Sequence, residues 1–155
     1  MTSIRVSFVD TYAVRGAGRT LEILALRRGS NGRNPGSWET VHGTIEPGET
    51  PVQASLRELR EETGLVPAKF YNLSRTEAFY QHKRDEVALI PVFAAFVAPD
   101  VTVTLSPEHD RAEWLRPRDA AERFAWPRER RAVDDILSIV GGGDADLLED
   151  VLRVS

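Results

Sequence analysis

Residues Gly43 to Leu65 read GTIEPGETPVQASLRELREETGL, and no other stretch restricts the fold of the chain so tightly. A loop bearing Gly43 and Gly48 leads into a helix carrying Glu58, Glu61 and Glu62, with Gly64 directly behind it. At about 100° per residue, Glu62 lies near +40° and Glu61 near −60° of Glu58, so three carboxylates share one face. Val52, Leu56, Leu59 and Thr63 fall roughly 100–160° round the same wheel and form the stripe expected to be buried. Gln53 and Arg60 lie farther round, toward solvent.

Like charges at helical i,i+4 spacing repel by a few tenths of a kcal/mol. A cation offsets that repulsion, and carboxylate oxygens are hard ligands suited to Mg²⁺, Mn²⁺ or Ca²⁺. The same pattern also describes a solvated acidic face whose charges pair with Arg57 and Arg60. The flanking glycines weigh against that simpler reading, because they permit tight turns and close backbone approach to a ligand.

The same residues carry a resemblance. The spacing G, five residues, E, seven residues, R-E-apolar-x-E-E-x-G-apolar resembles the signature of the Nudix hydrolases. It is met at Gly43, Glu49, Arg57, Glu58, Leu59, Glu61, Glu62, Gly64 and Leu65, with no fixed position departing. The resemblance implies an α/β (α+β) fold, an α/β/α sandwich around a mixed, partly antiparallel sheet. It implies a Mg²⁺-dependent pyrophosphohydrolase (Mn²⁺ as substitute) in which water attacks a phosphorus of a diphosphate linked to another group. Glu58 and Glu62 are then the main metal ligands, Glu61 assists, and the backbone carbonyl of His42 is a further ligand. Glu49 and Arg57 pair to hold loop to helix. The segment LSPEHDRAEWL resembles the region where dATP and dihydroneopterin-triphosphate pyrophosphatases of this family keep another acid. That makes Glu108 the candidate, with Glu77 and Glu86 as rivals on neighbouring extended segments.

A chain of 155 residues suits one domain, here 1–155, with a sizeable core. Its 41% hydrophobic and 28% charged residues describe a soluble globular protein. A net charge of −4 argues against a nucleic-acid partner. With no cysteine there is no disulfide, thiolate metal site or cysteine nucleophile. No apolar run approaches the roughly 20 residues that span a bilayer, and no secretory pattern opens the chain. The expectation is a cytoplasmic monomer or homodimer.

Ile4, Val6 and Phe8 alternate with polar residues as a half-buried strand. A turn at Arg15–Arg19 and a strand at Leu21–Leu26 follow, then a loop over Gly29–Ser37 and a short strand over Trp38–His42. Extended segments are expected at about 69–80 and 86–98. Pro91 marks a bulge or an interruption of the ladder in the second. After another short strand at Ala112–Arg116, Pro117 opens a helix to about Phe124. Pro127 opens a longer one to about Val140 with Ala132, Val133, Ile136, Leu137 and Val140 inward. Asp144 caps a last amphipathic helix, burying Leu147, Leu148, Val151 and Leu152, so the C-terminal helices span about 127–153.

Substrate contacts are read from residue type. Arg27 and Arg28 end a strand and suit a phosphate clamp. Trp38 suits stacking on a base or pteridine ring, and Phe79, Tyr80 and Lys83 suit a pocket rim. Trp126 is expected to pack in the core. His42, His82 and His109 show no mutual ligand spacing. The expected partner is a small nucleotide-like diphosphate such as dATP or dihydroneopterin triphosphate. A dinucleoside polyphosphate hydrolase is the alternative, and a non-catalytic nucleotide sensor is a third reading that the intact motif disfavours.

Overall fold

The computed structural model describes all 155 residues. Eight strands form one mixed sheet: β1 (Ser3–Val6), β2 (Phe8–Arg15), β3 (Glu22–Arg28), β4 (Trp38–Glu39), β5 (Val41–Thr44), β6 (Lys69–Gln81), β7 (Glu86–Phe96) and β8 (His109–Leu115). β7 pairs antiparallel with β6, and its other edge runs parallel to β1 and then to β2. β2 passes the sheet on, antiparallel, to β5 and β3, and β3 carries β4 and β8. Neither alternation nor an unbroken apolar run marks β2 in the sequence. FVDTYAVR is buried on both faces, so polar Asp10 and Thr11 break an apolar run that lies at the centre of the sheet.

Side-chain alternation along each strand divides the core in two. Val9, Ala13, Leu24, Leu26, Phe93 and Ala95 pack beneath α1 (Pro51–Thr63). Tyr12, Val14, Ile23, Ala25, Val92 and Ala94 face α2 (Pro117–Arg123) and α3 (Pro127–Asp135), which continues as a π turn over Ile136–Val140. The result is the expected helix–sheet–helix sandwich. Leu59 is fully buried in the α1 layer, and its truncation to alanine would cost about 2–5 kcal/mol.

Local chemistry sets the limits of α1. Thr50 Oγ1 accepts from Gln53 N at 3.2 Å while Gln53 Oε1 accepts from Thr50 N at 2.9 Å, and Pro51 takes the first helical position. Gly64, at φ 73°, ends the helix in the left-handed conformation and donates its N–H to Arg60 O. Within the helix Leu59 and Thr63 are buried as expected. Val52 and Leu56 are only half-buried, and Ala54 and Ser55 reach the sheet instead.

Three apolar expectations fail for want of a covering layer. β1 is a strand, but Ile4 is 68% exposed and Val6 is also exposed, because β1 pairs only with β7. Leu137 is exposed on the π turn. The chain after Gly143 is a 3₁₀ turn (Asp146–Leu148) followed by the single-turn α4 (Glu149–Leu152). Helical periodicity therefore never builds up, and Leu152 is buried while Leu147, Leu148 and Val151 stay exposed. Asp144 accepts from Asp146 N at 3.0 Å as a local turn. The ladder interruption tied to Pro91 sits on the partner strand, where β6 slips register between Asn72 and Thr76. No helix is long and apolar enough to cross a membrane.

Candidate active site

α1 lies over the β5 strand, and the two meet at Gly43. A β-carbon there would come within 2.1 Å of Glu58 Cδ, so only glycine lets this carboxylate lie against the strand. Arg57, the neighbouring residue, ties the loop to the helix. Its Nε and a terminal nitrogen grip both Glu49 oxygens at 2.7 and 2.9 Å. The same guanidinium donates to Thr44 O at 2.9 Å, Glu58 Oε1 at 2.9 Å and Glu61 Oε2 at 3.2 Å. Glu49 also accepts from Glu46 N at 2.9 Å. The Arg57 bonds hold the Glu49 carboxyl down to about 2. Arg60 faces solvent without an ion pair.

Glu62 is only 3% exposed, and its Oε2 is buried with no hydrogen-bond partner. Burial, followed by the nearby Glu58 and Glu108 carboxylates, pushes its carboxyl up to about 10. Burial also raises Glu58, against the opposing pull of Arg57. Ligand atoms of Glu62, Glu108 and His109 all lie within 4.8 Å of one another. The loop ahead of β8 thus delivers Glu108 to α1, held by the bond from Ser106 N to Glu62 O.

One member of this cluster, His109, and its bonding partner Glu39 are not marked by the sequence pattern. His109 is buried, with Nδ1 unpartnered and Nε2 3.4 Å from Glu39 Oε2. Glu39 is itself buried and bonded to Arg28 at 3.2 Å. Despite burial, the bond from His109 and the charge of Arg28 leave its carboxyl below the ordinary value. The adjacency of His109 to Glu108 in sequence was the available signal. An unpartnered buried carboxylate oxygen among further acids fits a divalent cation, since leaving it bare costs free energy.

The rival acids are engaged elsewhere. Glu77 accepts two bonds from Arg131 on α3, at 3.1 and 3.0 Å, and Glu86 pairs with Arg5 at the sheet edge.

A recess of about 260 Å³ opens beside the acids, reached by Glu39 and Arg28 and walled by Phe8, His42, Phe79 and Trp126. A second, of about 470 Å³, shares Phe8 and Phe79 and adds Thr44, Lys83 and Arg84. Arg33 lines both recesses. Arg33, Lys83 and Arg84 are exposed and form no ion pair, whereas most arginines of the chain are paired.

Of the expected contacts, Arg28, Phe79 and Lys83 line these recesses. Arg27 instead pairs with Asp110 at 2.8 Å. Tyr80, one residue from Phe79, turns to the other face and bonds Asp85 at 2.8 Å. The two tryptophans exchange their expected places. Trp38 packs on the core under the Arg123 guanidinium, 4.7 Å away, and Trp126 lines the recess, 6.2 Å from Phe79. Pro127 and the helix cap behind it explain the second placement: Glu129 Oε1 accepts from Trp126 N at 3.1 Å and Oε2 from Thr40 N at 2.7 Å, fixing Trp126 over β4–β5. Burial holds the Glu129 carboxyl up at about 8.

The NUDIX domain family model matches residues 6–136. A Myxococcus xanthus protein described as an octanoyltransferase is 35% identical over 126 residues, 81% of this chain and 35% of that protein. Nucleoside triphosphatase NudI from Escherichia coli is 29% identical over 92 residues, 55% of this chain and 65% of the relative. In both cases less than two thirds of the relative is spanned. The E. coli dihydroneopterin triphosphate pyrophosphohydrolase superposes with a TM-score of 0.67 at 22% identity, covering 89% of this chain and 99% of that chain, so the two share a fold.

Proposed function

The chain belongs to the Nudix family, and on that premise we propose that it is a divalent-metal-dependent pyrophosphohydrolase cleaving a nucleoside-triphosphate-like substrate. The observation that carries this reading is the buried, unpartnered Glu62 Oε2 among Glu58, Glu108 and His109. Glu58, Glu62 and Glu108 would hold Mg²⁺, or Mn²⁺ in its place, with Glu61 and the His42 carbonyl as further oxygens. When bound, the ion neutralises phosphate charge and makes a water more acidic. Arg57 and Glu49 set the position of Glu58 by the bonds described above. Arg28, Arg33, Lys83 and Arg84 supply positive charge to the phosphate chain. Positioning and electrostatics dominate phosphoryl transfer, so no protein nucleophile is required.

Within the family, the LSPEH segment and the similarity to a nucleoside triphosphatase favour a triphosphate such as dATP or dihydroneopterin triphosphate. A second reading, a dinucleoside polyphosphate, is favoured by one feature. The two recesses lie side by side and share Phe8 and Phe79 in their walls, so each could take a group at one end of the phosphates.

The test is a turnover screen with Mg²⁺ over nucleoside triphosphates, dihydroneopterin triphosphate, dinucleoside polyphosphates and nucleotide sugars. Release of pyrophosphate from a triphosphate is expected. Preference for a dinucleoside polyphosphate would select the second reading, and no cleavage of any phosphoanhydride would overturn both.

A further inference from the structure

Asp10 lies in the middle of β2, wholly buried, and takes no part in the acid cluster. Arg128, near the start of α3, donates to Asp10 Oδ2 from Nε at 2.7 Å and to Oδ1 from a terminal nitrogen at 3.4 Å. The His42 ring meets Asp10 Oδ1 through Nδ1 at 2.7 Å. A carboxylate paired with arginine only accepts, so the hydrogen of this bond belongs to His42 Nδ1. In the neutral ring Nε2 is then left as an acceptor, and it has no protein partner while His42 lines the recess.

The walls around it are flat. Phe8 lies 5.1 Å from the His42 ring at 30°, and Phe79 and Trp126 meet edge to face at 78°. Arg128 sits 5.2 Å over the Trp126 ring. A space of about 260 Å³ suits one ring system, being below the size of sites that enclose whole ligands.

We propose that this recess takes a flat nitrogen heterocycle, and that His42 Nε2 accepts a hydrogen bond from an amino group on it. Asp10 and Arg128 are positioning residues: they fix the tautomer and orientation of His42, and so set preference for amino-bearing over amino-lacking rings. The inference rests on the nucleotide-hydrolase reading for its substrate, but its test does not depend on turnover.

Two measurements separate them. The first is kcat/KM for adenosine triphosphate against purine riboside triphosphate, which lacks the amino group. The second is calorimetric binding of non-hydrolysable analogues of the same pair. The wild type is expected to favour the amino ring by about tenfold or more, equivalent to about 1.4 kcal/mol. His42→Phe should bring that ratio near one. Asp10→Asn, whose amide can donate to His42 Nδ1 and so reverse the tautomer, should also abolish the preference, and it serves as the independent variant if His42→Phe does not fold. Because a ratio is read, a general loss of metal or rate moves both substrates together and leaves it unchanged. An unchanged ratio in a folded variant, or no preference in the wild type, overturns the inference. Preference in binding without turnover of either compound supports it and removes only this pair from the candidate substrates.

Discussion

The Glu58 side chain fills the space beside Gly43 that a β-carbon would need: one built there would lie 2.1 Å from the Glu58 carboxyl carbon. The strand and the helix are therefore locked in register at the point where the acids gather. Gly43→Ala must push Glu58 aside. Turnover is expected to fall by about a hundredfold or more, while circular dichroism stays that of the wild type. Unchanged kcat in this variant would show that Glu58 can leave its place without consequence.

Glu62→Gln separates function from stability. The ordinary carboxyl value of 4.5 applies to the unfolded chain, whereas the folded metal-free protein holds this proton up to about 10. Between those values the folded state binds more protons, so metal-free stability falls as pH rises from about 4.5 toward 10. Glutamine removes that loss. At pH 8 without metal, its melting temperature should exceed the wild type by about 3 °C or more, while turnover with Mg²⁺ drops by several orders of magnitude. Near-native turnover, or a lower melting temperature at pH 8, would contradict the assignment.

The Glu49–Arg57 pair has the opposite sign. Glu49 titrates at about 2 in the folded state against an ordinary 4.5, so its contribution is complete above about 4.5 and disappears as pH falls toward 2. Acid unfolding of Glu49→Gln should show a shallower pH dependence over that window than the wild type. Parallel curves would mean that the pair is not formed in solution.

Glu108→Gln should reduce kcat more than Glu77→Gln or Glu86→Gln, because only Glu108 lies beside Glu62. Glu77→Gln instead leaves Arg131 without its two-bond partner and should chiefly affect thermal stability. The reverse ranking of rates would move the fourth acid to β6 or β7.

The parts of the site that lie within one stretch of chain were legible before folding. Glu58, Glu61 and Glu62 follow from helical geometry, and Glu49 with Arg57 from the loop–helix motif. Glu39, His109, Asp10 and Arg128 were not, because strand register brings them in. β4 and β8 lie on opposite sides of β3, and their register places Glu39 and His109 within reach of each other. Asp10 meets Arg128 across 118 positions. The exchange of Trp38 and Trp126 has the same origin: residue type foretold an aromatic wall, and only the α3 cap determined which tryptophan forms it. The exposed Leu147 and Val151 show the reverse error, where helical spacing was read into a segment too short to complete a helix.

Calorimetric titration of Mg²⁺ into wild type and Glu62→Gln at pH 7.5 reads out whether the α1 acids and Glu108 form a divalent-cation site. The wild type is expected to bind with release of a proton, since Glu62 must ionise to coordinate. Affinity should be weaker by at least about tenfold, with no proton release, in the variant. Equal affinities in the two proteins would rule that site out.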